Sequence, residues 1–499
     1  MNLLPMGDLI RFHAERKPED AIALSFPDGE VTWWELERRA NQRARFYRER
    51  GVVKDDIVTI SAPNSWRLFE HTFGLWKLGA TPNVISPRLA PQEVKSIIEF
   101  ARPKLVIADG APLGGRDTVP IDAELVGQDD APLMSDVASH WKIMTSGGSN
   151  GRPKLIVDMS PSLFSPTETQ LYLPNNGKVM APGPLYHNSP FASLHSGLFA
   201  GSHCVGMARF DPEECLRLVG RHRIEWLMLV PTMMHRIWQL PDEIRDSFDL
   251  SSLRHVWHSA AAISRDLKQA WIDWLGPERI FEIYGGTEGA GVTVISGDEW
   301  LNKRGSVGRA AGHAGLKILR EDGSECAAGE IGEIFFVPHD SARQAYAYIG
   351  GASRRRADGA DSFGDLGYLD EDGYLFLADR RTDMIIRGGA NIFPAEVEMA
   401  LDSFPDIQSS LVIGLPDEEM GSRVHALIQP RPGAEISFTV LSDHLRERLA
   451  PYKLPESYEI AQQPLRDDAG KARRSALSEE RAAWARDGKA FKAWARQSS

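Results

Sequence analysis

Short apolar runs alternate with amphipathic helical stretches over roughly the first 380 of the 499 residues. Residues 56–86 give an example, in which DIVTISAP is followed by a helical segment at 66–78 and then by TPNVIS. Strands that alternate with helices in this way are typical of α/β domains. The pattern therefore predicts a large N-terminal α/β domain of layered mixed sheets and helices, which we assign to residues 1–380.

The pattern of apolar and charged residues changes near residue 380, where a short charged connector follows a hairpin-like stretch. Beyond it, SSLVIGLPD, VHALIQP and a charged helical segment are typical of a small α+β unit. A chain of 499 residues is also longer than one hydrophobic core usually serves. We therefore expect a domain boundary at the charged connector 381–383 and a small C-terminal domain at 384–499, with a solvated helix as its tail.

Charge and cysteine content limit the class of partner. The net charge is −12, from 57 basic and 69 acidic residues, which argues against nucleic acid or an anionic membrane as the main partner. No run approaches the ~20 apolar residues of a membrane span, and the N-terminus lacks the apolar stretch of a signal peptide. Cys204, Cys215 and Cys326 fit neither a disulfide framework nor a zinc site. We expect a cytoplasmic protein that acts on small molecules.

Residues 145–154 read TSGGSNGRPK, a loop rich in glycine, hydroxyl and amide groups. Such a loop exposes backbone N–H groups and small donors, which suit a phosphate chain. The Walker-A pattern requires Gly-Lys-Ser/Thr at its end, but Arg152 and Pro153 follow Gly151, and Leu155 follows Lys154. A P-loop NTPase is therefore excluded, and the loop is either another kind of phosphate site or an ordinary surface turn.

A second motif, YGGTEG at 284–289, follows the apolar run RIFEI and so lies at the end of a predicted strand. Ligands of open α/β sheets bind at such ends. Thr287 offers a hydroxyl, Glu288 a hard oxygen ligand for Mg²⁺, and Tyr284 a flat face for a base. The alternative is a turn with a solvated glutamate.

Two further stretches carry candidate polar groups. In FGDLGYLDEDGYLF (363–376), Asp365 can accept hydrogen bonds from a ribose diol, and Arg380 beyond it can hold the same sugar or a phosphate. The second half of this stretch equally suits a plain hairpin turn. In RDDAGKARR (466–474), Lys471 follows a glycine in a basic loop, where a lone lysine is usually a solvated charge.

Taken together and in this order, these stretches resemble the adenylate-forming superfamily, which includes acyl-CoA synthetases and luciferases. The motifs that carry the resemblance are TSGGSNGRPK, YGGTEG, FGDLGYLD, DRRTDMIIRGGANIFPAEVE and RDDAGKARR, and the match covers roughly residues 5–475. Four stretches between 182 and 309 are more closely similar to CoA ligases for bulky carboxylic acids of the bile-acid or steroid type: PGPLYHNSPF, LVPTMMHRI, WIDWLGPERIFEIYGGTEG and GDEWLNKRGSVGR.

The resemblance implies an ATP-dependent ligase that converts a carboxylic acid to an acyl-adenylate, releases pyrophosphate and passes the acyl group to CoA. It implies that the β- and γ-phosphates of ATP are held by Thr145, Ser146, Gly147, Gly148, Ser149, Asn150, Gly151 and Lys154. It further implies that the adenosine is held by Ser259, Ala260, Ala261, Tyr284, Gly285, Asp365 and Arg380.

The remaining implied roles concern the chemistry and the second substrate. Thr287 would contact the α-phosphate, Glu288 would hold Mg²⁺, and Lys471 would bridge the carboxylate and the α-phosphate. The small domain would be mobile and would rotate about a hinge at 381–383, with Thr382 at its centre, so that Gly388 and Gly389 line a tunnel for the thiol. The residues implied at the acyl pocket and at the CoA nucleotide are His187 at the pocket mouth, Phe191, Met233 and Ala260 as walls, and Arg88 for the nucleotide.

The chain departs from the family pattern at Asn150 and Thr382, and RGGAN replaces the usual Ser-Gly-Gly-Glu-Asn. The bulk of Arg387 and the missing carboxylate at Ala390 leave open an amide synthetase, in which the adenylate passes its acyl group directly to an amine. Transfer to a carrier protein and a non-catalytic nucleotide-binding scaffold are further alternatives. Family analogy leaves the chain a monomer or a homodimer.

Overall fold

The structure, a computed structural model, describes residues 3–110, 112–116, 118–146, 153–169, 171–380, 383–387, 390–417, 420–467, 470, 472, 474–486 and 491–493. Within these residues the α-helices are α1 (Leu9–Ala14), α2 (Trp33–Glu49), α3 (Arg67–Lys77), α4 (Pro91–Ala101), α5 (Asn188–Phe199), α6 (Pro212–His222), α7 (Pro231–Trp238), α8 (Asp242–Arg245), α9 (Arg265–Leu275), α10 (Gly297–Asn302), α11 (Pro394–Asp402), α12 (Phe438–Arg446) and α13 (Arg474–Arg486). Short 3₁₀ helices occupy Met6–Asp8, Pro277–Arg279 and Pro451–Lys453.

The strands of the large N-terminal part are β1 (Leu4–Pro5), β2 (Ile22–Phe26), β3 (Gly29–Thr32), β4 (Ile57–Ser61), β5 (Thr81–Ile85), β6 (Leu105–Ala108), β7 (Ile143–Ser146), β8 (Lys154–Asp158), β9 (Leu163–Phe164), β10 (Lys178–Met180), β11 (His203–Val205), β12 (Trp226–Leu229), β13 (His255–His258), β14 (Ile280–Gly285), β15 (Val292–Ser296), β16 (Arg309–Ala311), β17 (Ala314–Leu319), β18 (Gly332–Pro338), β19 (Tyr346–Ile349), β20 (Asp365–Leu369) and β21 (Leu375–Arg380). Those that follow are β22 (Ile385–Arg387), β23 (Ala390–Ile392), β24 (Ile407–Asp417), β25 (Gly421–Pro430), β26 (Ser457–Ile460) and β27 (Lys492–Ala493).

Two mixed sheets form the frame of the large domain. One has the strand order β16-β15-β14-β13-β12-β10-β11-β2-β3, and its strands from β14 to β2 run parallel. The other has the order β19-β8-β7-β5-β4-β6, with β6 to β7 parallel and β8 and β19 added antiparallel. Because parallel strands end at one edge of a sheet, the residues that follow β12, β13 and β14 lie side by side.

Helices α2, α3 and α5 contribute to one aromatic core that also includes residues of both sheets. Nearly every residue of α3 is buried, as expected of a helix covered on all sides. Its buried charged residues, Glu70 and Lys77, are accordingly paired, because an isolated buried charge is costly. Lys77 Nζ lies 3.0 Å from Glu37, and Glu70 accepts from Arg43 at 2.6 Å. The large fully buried aromatic side chains of this core include Trp33, Trp76, Phe69, Phe73 and Phe199.

A third sheet, in the order β17-β18-β20-β21, lies on the C-terminal side of the large domain. It shares a hydrophobic cluster with β8 and β19 of the six-stranded sheet, through Ile156 and Tyr346. The strand pair β20 and β21 forms the hairpin that the DEDGY stretch predicts. Tyr284 of the nine-stranded sheet packs against the same cluster, so all three sheets meet near the YGGTEG motif.

The small domain has its own core, formed by residues from Ile385 to Tyr458. Strands β24 to β27 form its sheet, and α11 packs against β24. The expected fold class, a large α/β domain followed by a small α+β domain, is confirmed. The expected helix of the tail is confirmed up to Arg486, where α13 ends, and is wrong at Lys492–Ala493, which form β27 beside β26.

The three cysteines are free, and Cys204 and Cys215 are buried. Among the residues that the structure describes, no helix combines the length and the apolar character that a membrane crossing requires.

Candidate nucleotide and acyl site

The YGGTEG motif lies at the carboxyl end of β14, as the sequence predicts, and its residues 286–289 form a tight turn. The N–H of Gly289 donates to the carbonyl of Gly286 at 3.0 Å and closes the turn. A Cβ on Gly286 would lie 2.6 Å from Glu288 Oε2 and 2.7 Å from the Phe363 ring, so glycine is required for this close approach. Thr287 and Glu288 are both half-buried here.

The carboxylate of Glu288 lies in a small cluster with Lys154 and Tyr348. Tyr348 donates its hydroxyl to Glu288 Oε1, and Lys154 Nζ lies 3.8 Å from the same oxygen. The ammonium of Lys154 also lies 3.7 Å from the centre of the Tyr348 ring. Lys154 and Glu288, which belong to sequence motifs more than 130 positions apart, are therefore neighbours in the fold.

The hydroxyl of Tyr348 is held in its protonated form. Burial, together with the negative charge of Glu288, raises the pKa of the Tyr348 phenol. Because the phenol keeps its proton, its O–H remains available to donate a hydrogen bond to the carboxylate. Tyr348 thus orients Glu288 from the neighbouring strand β19, whose register against β8 pairs Tyr348 with Ile156.

The glycine loop connects β7 to β8, whose antiparallel pairing places Thr145 opposite Leu155 and Ser146 opposite Lys154. Both ends of the predicted phosphate cradle are thereby fixed by strands. The Oγ1 atom of Thr145 is buried and has no hydrogen-bond partner among the described residues. A buried hydroxyl without a partner is unfavourable by about 1–3 kcal/mol, so a ligand oxygen at this position would satisfy it.

These groups fit a magnesium nucleotide. No cluster of three or more His, Cys, Asp or Glu residues in the described part of the chain forms a metal cage. Magnesium in nucleotide sites is usually held by one or two carboxylates together with substrate phosphates and water. Glu288, adjacent to Lys154 and close in the fold to the loop that Thr145 begins, suits that mode of binding.

The two residues predicted to hold the ribose lie on paired strands. Asp365 begins β20 and pairs directly with Arg380 at the end of β21. Tyr284 Oη donates to Asp365 Oδ2 at 2.7 Å, and the Tyr284 ring stacks on Phe336 with centroids 6.1 Å apart. The hydrogen bond joins the nine-stranded sheet to the third sheet and fixes the Asp365 carboxylate.

The segment Ser259, Ala260 and Ala261 follows β13, the parallel neighbour of β14. Ala260 has φ of 75°, in the left-handed region that alanine rarely adopts. Such backbone strain is often found at ligand sites. Ser259 Oγ donates to Met228 Sδ at 3.9 Å, which ties the segment to β12.

Three of the predicted acyl-pocket residues, His187, Phe191 and Met233, lie at or near the N-terminus of α5. His187 precedes the helix, and a Cβ on Gly183 would lie 2.7 Å from Pro190 Cγ and 3.6 Å from Met233 Cε. Phe191 is fully buried and packs on His195, with ring centroids 4.0 Å apart.

Arg88 lines a small cleft next to these residues. The cleft, of about 60 Å³, is also lined by Tyr186, Arg209 and Phe210. The ring of Tyr186 lies 4.7 Å from that of His187, so the cleft adjoins the predicted pocket mouth.

The loop of the small domain that precedes the predicted catalytic lysine contacts the large domain. A Cβ on Gly470 would lie 2.9 Å from Thr232 Oγ1, and Asp467 Oδ2 lies 3.8 Å from His187 Nε2. Thr232 belongs to α7, next to Met233. The loop therefore docks beside the predicted mouth of the acyl pocket.

Arg387, which departs from the family pattern, is held by an ion pair within the small domain. Its guanidinium donates two hydrogen bonds to Glu456, Nε to Oε2 at 2.9 Å and Nη2 to Oε1 at 2.8 Å. Such a bidentate pair fixes the orientation of the guanidinium group.

The remaining predicted residues are described by their backbone alone or lie outside the described residues. The structure describes the backbone of Ser146 and Arg380 without their side-chain surroundings. The residues that lie outside the described residues are Gly147, Gly148, Ser149, Asn150, Gly151, Thr382, Gly388, Gly389 and Lys471.

Sequence reasoning missed three residues of this region: Tyr348, Thr232 and Asp467. Tyr348 lies in AYAYIG, whose alternation indicates a strand but gives no sign of a site. Thr232 lies within the quoted stretch LVPTMMHRI and Asp467 within the lysine motif, so the resemblance reached both stretches without singling out either residue.

Comparison with known families agrees with this geometry. Residues 10–339 match the model of the AMP-binding enzyme family, and residues 396–471 match the model of the C-terminal domain of AMP-binding enzymes. The first match alone covers well over half of the chain. The chain belongs to the AMP-binding enzyme family.

Particular relatives match over nearly their full length. The chain is 28% identical to 2-succinylbenzoate–CoA ligase of Bacillus licheniformis, over 95% of this chain and 100% of that protein. It is 29% identical to feruloyl-CoA synthase of Amycolatopsis sp, over 89% and 93%. Among solved structures, it resembles o-succinylbenzoate CoA synthetase from Bacillus subtilis in complex with its acyl-adenylate intermediate, with a TM-score of 0.82, 24% identity and coverage of 96% and 98%. That likeness concerns the fold.

Proposed function

We propose that this enzyme activates a carboxylic acid with ATP, forming an acyl-adenylate and pyrophosphate, and then transfers the acyl group to CoA as a thioester. The observation that carries the proposal is the contact between Lys154 and Glu288, a cation and a magnesium-type carboxylate, at the end of the loop that connects β7 to β8. A carboxylic acid needs activation because its oxygen is a poor leaving group. A site for the phosphates of ATP beside the predicted acyl pocket would supply that activation.

In the first step, a carboxylate oxygen attacks the α-phosphorus, and the bond between the α-phosphorus and the bridging oxygen to the β-phosphate breaks. Lys154 and the hydroxyl of Thr145 would bind the departing pyrophosphate, and Thr287 would contact the α-phosphate. Glu288, oriented by Tyr348, would hold Mg²⁺, which neutralises charge on the phosphates when bound. Asp365, fixed by Tyr284, would bind the ribose hydroxyls.

Lys471 would add positive charge between the carboxylate and the α-phosphate. The docking of its loop beside His187 and Thr232 supports this assignment, since the loop already lies at the predicted acyl entrance. The small domain would then rotate about residues 381–383, so that a thiolate reaches the carbonyl carbon. The C–S bond forms, the bond to AMP breaks, and the thiol proton leaves to solvent.

CoA as the acceptor is supported by the relatives, whose names describe CoA ligases for 2-succinylbenzoate and ferulate. Both acids carry an aromatic ring, which is consistent with a bulky substrate for this chain. The case for an amine acceptor rested on the bulk of Arg387 and the missing carboxylate at Ala390. The pairing of Arg387 with Glu456 gives that arginine a structural role, which weakens the argument from its bulk.

The test is a panel assay. The enzyme is incubated with ATP, Mg²⁺ and one of five acids (ferulate, 2-succinylbenzoate, anthranilate, cholate or hexadecanoate), and pyrophosphate is measured without acceptor, with CoA and with a simple amine. The proposal predicts acid-dependent pyrophosphate with at least one acid, and a thioester when CoA is added. Amide formed without need of CoA would contradict the CoA assignment, and no pyrophosphate with any acid would contradict the activation step.

A further inference from the structure

The loop that carries Lys471 is anchored firmly to the small domain. Arg466 donates to Glu398 Oε2 at 2.9 Å, to the carbonyl of Ser410 at 3.2 Å and to the carbonyl of Gly470 at 3.3 Å. Glu398 lies on α11 and is buried. A buried carboxylate that pairs with an arginine holds its partner in one geometry.

The far end of the loop uses the same carboxylate. Arg474 lies 2.8 Å from Glu398 Oε1 and 3.3 Å from Asp383, the last residue of the predicted hinge. Both ends of the loop and the end of the predicted hinge are therefore joined through one ion-pair network. Arg466 and Arg474 thus hold the described residues of the loop to the small domain.

On its other side the loop contacts the large domain through Asp467 and Gly470. Asp467 Oδ2 lies 3.8 Å from His187 Nε2, within ion-pair range when His187 is protonated, and Gly470 packs on Thr232. The N–H of Gly470 donates to the carbonyl of Asp467 at 2.9 Å, which ties the two contacts into one turn. Because this contact joins the two domains, a rotation that carries the loop away from α5 would break it.

We propose that Asp467 is a positioning residue that favours the closed arrangement of the first step by pairing with His187, and so places the Lys471 loop at the acyl entrance. The inference rests on the proposed two-step function. The pair forms only in the arrangement that the structure shows, with Asp467 beside His187, which we term closed. It therefore accelerates adenylation and contributes nothing to acyl transfer. Because Asp467 is half exposed, the expected effect is modest, up to about five-fold.

The experiment measures the two steps separately in the full-length enzyme, with the acid of the panel that the wild type turns over fastest. The first readout is acid-dependent pyrophosphate release without CoA, and the second is thioester formation from the synthetic acyl-adenylate and CoA. Asp467→Asn is expected to slow the first by about three- to five-fold and to leave the second unchanged. Asp467→Glu, which keeps the charge, is expected to restore most of the first rate.

Two comparisons make the result specific. Asp443→Asn is the matched control, because Asp443 is exposed on α12 and pairs with Arg446 of its own helix at 3.2 Å. In a His187→Gln background, Asp467→Asn is expected to have no further effect, since the pair is already broken. Equal loss in both steps, no loss in either, or additive effects of the two substitutions would each overturn the proposal. If the wild type itself releases no acid-dependent pyrophosphate, the proposed function fails first.

Discussion

Tyr284 donates a 2.7 Å hydrogen bond to Asp365, and so connects the end of a parallel strand in one sheet to the first residue of a strand in another. Tyr284 belongs to the YGGTEG motif and Asp365 to the FGDLGYLD motif, 81 positions apart in the chain. The bond gives the tyrosine a role beyond the stacking face that its motif suggests. It fixes the carboxylate that we assign to the ribose.

Tyr284→Phe therefore tests the ribose assignment. The substitution removes one hydrogen bond that orients Asp365, and a hydrogen bond of this kind contributes about 1 kcal/mol. We expect the KM for ATP to rise by about five-fold, with kcat for the acid changed less. Steady-state kinetics over ATP concentration measure the effect. An unchanged KM for ATP would show that Tyr284 does not position the nucleotide.

Tyr348→Phe tests the orientation of Glu288. Groups that orient metal ligands commonly affect metal affinity by about 10-fold or more. We expect the Mg²⁺ concentration for half-maximal pyrophosphate release to rise by about 10-fold, because Glu288 loses its donor. Tyr452→Phe, on an exposed tyrosine of the small domain, is the matched control. Equal Mg²⁺ dependence in both variants would argue against this role for Tyr348.

Gly286→Ala tests the geometry of the turn that carries Glu288. The new methyl group would meet Glu288 Oε2 at 2.6 Å and the ring of Phe363 at 2.7 Å. Overpacking of this kind is unfavourable by about 1–3 kcal/mol and is expected to displace the carboxylate. We expect a loss of about 10-fold or more in kcat/KM. Gly315→Ala, whose added Cβ meets no atom within 4 Å, should leave kcat/KM within about two-fold.

Stability should depend on pH through buried histidines. Burial lowers the pKa of seven histidines of the described chain to about 3 or about 4, namely His13, His71, His195, His203, His235, His258 and His425. The unfolded chain binds protons at these groups below about pH 6.5, and the folded chain does not until about pH 4. The free energy of unfolding must therefore fall as pH drops through this window.

Thermal unfolding at pH 7.5, 6.5, 5.5 and 5.0 measures this dependence. Each histidine contributes at most about 1.4 kcal/mol per pH unit to the slope, so the midpoint is expected to fall steadily below pH 6.5. A midpoint that stays constant from pH 7.5 to 5.0 would contradict the burial of these side chains.

Sequence patterns predicted much of the candidate site because its motifs follow strand ends. Asp365 and Arg380 were expected to act together, and the register of a single hairpin makes them direct neighbours. Tyr348 was beyond such reasoning, since it reaches Lys154 only because β19 pairs antiparallel with β8, a contact between distant parts of the chain. The pairing of Asp467 with His187 depends on how two domains meet, which local patterns do not encode.

The most direct test of carboxylate activation is the effect of Lys471→Ala on the two steps measured separately. We predict that acid-dependent pyrophosphate release falls by about 100-fold or more, as when a group that stabilises transition-state charge is removed. Thioester formation from the synthetic acyl-adenylate should remain near the wild-type rate, and Lys317→Ala, on an exposed lysine of the large domain, should affect neither step. Pyrophosphate release that is unchanged in Lys471→Ala would contradict the mechanism.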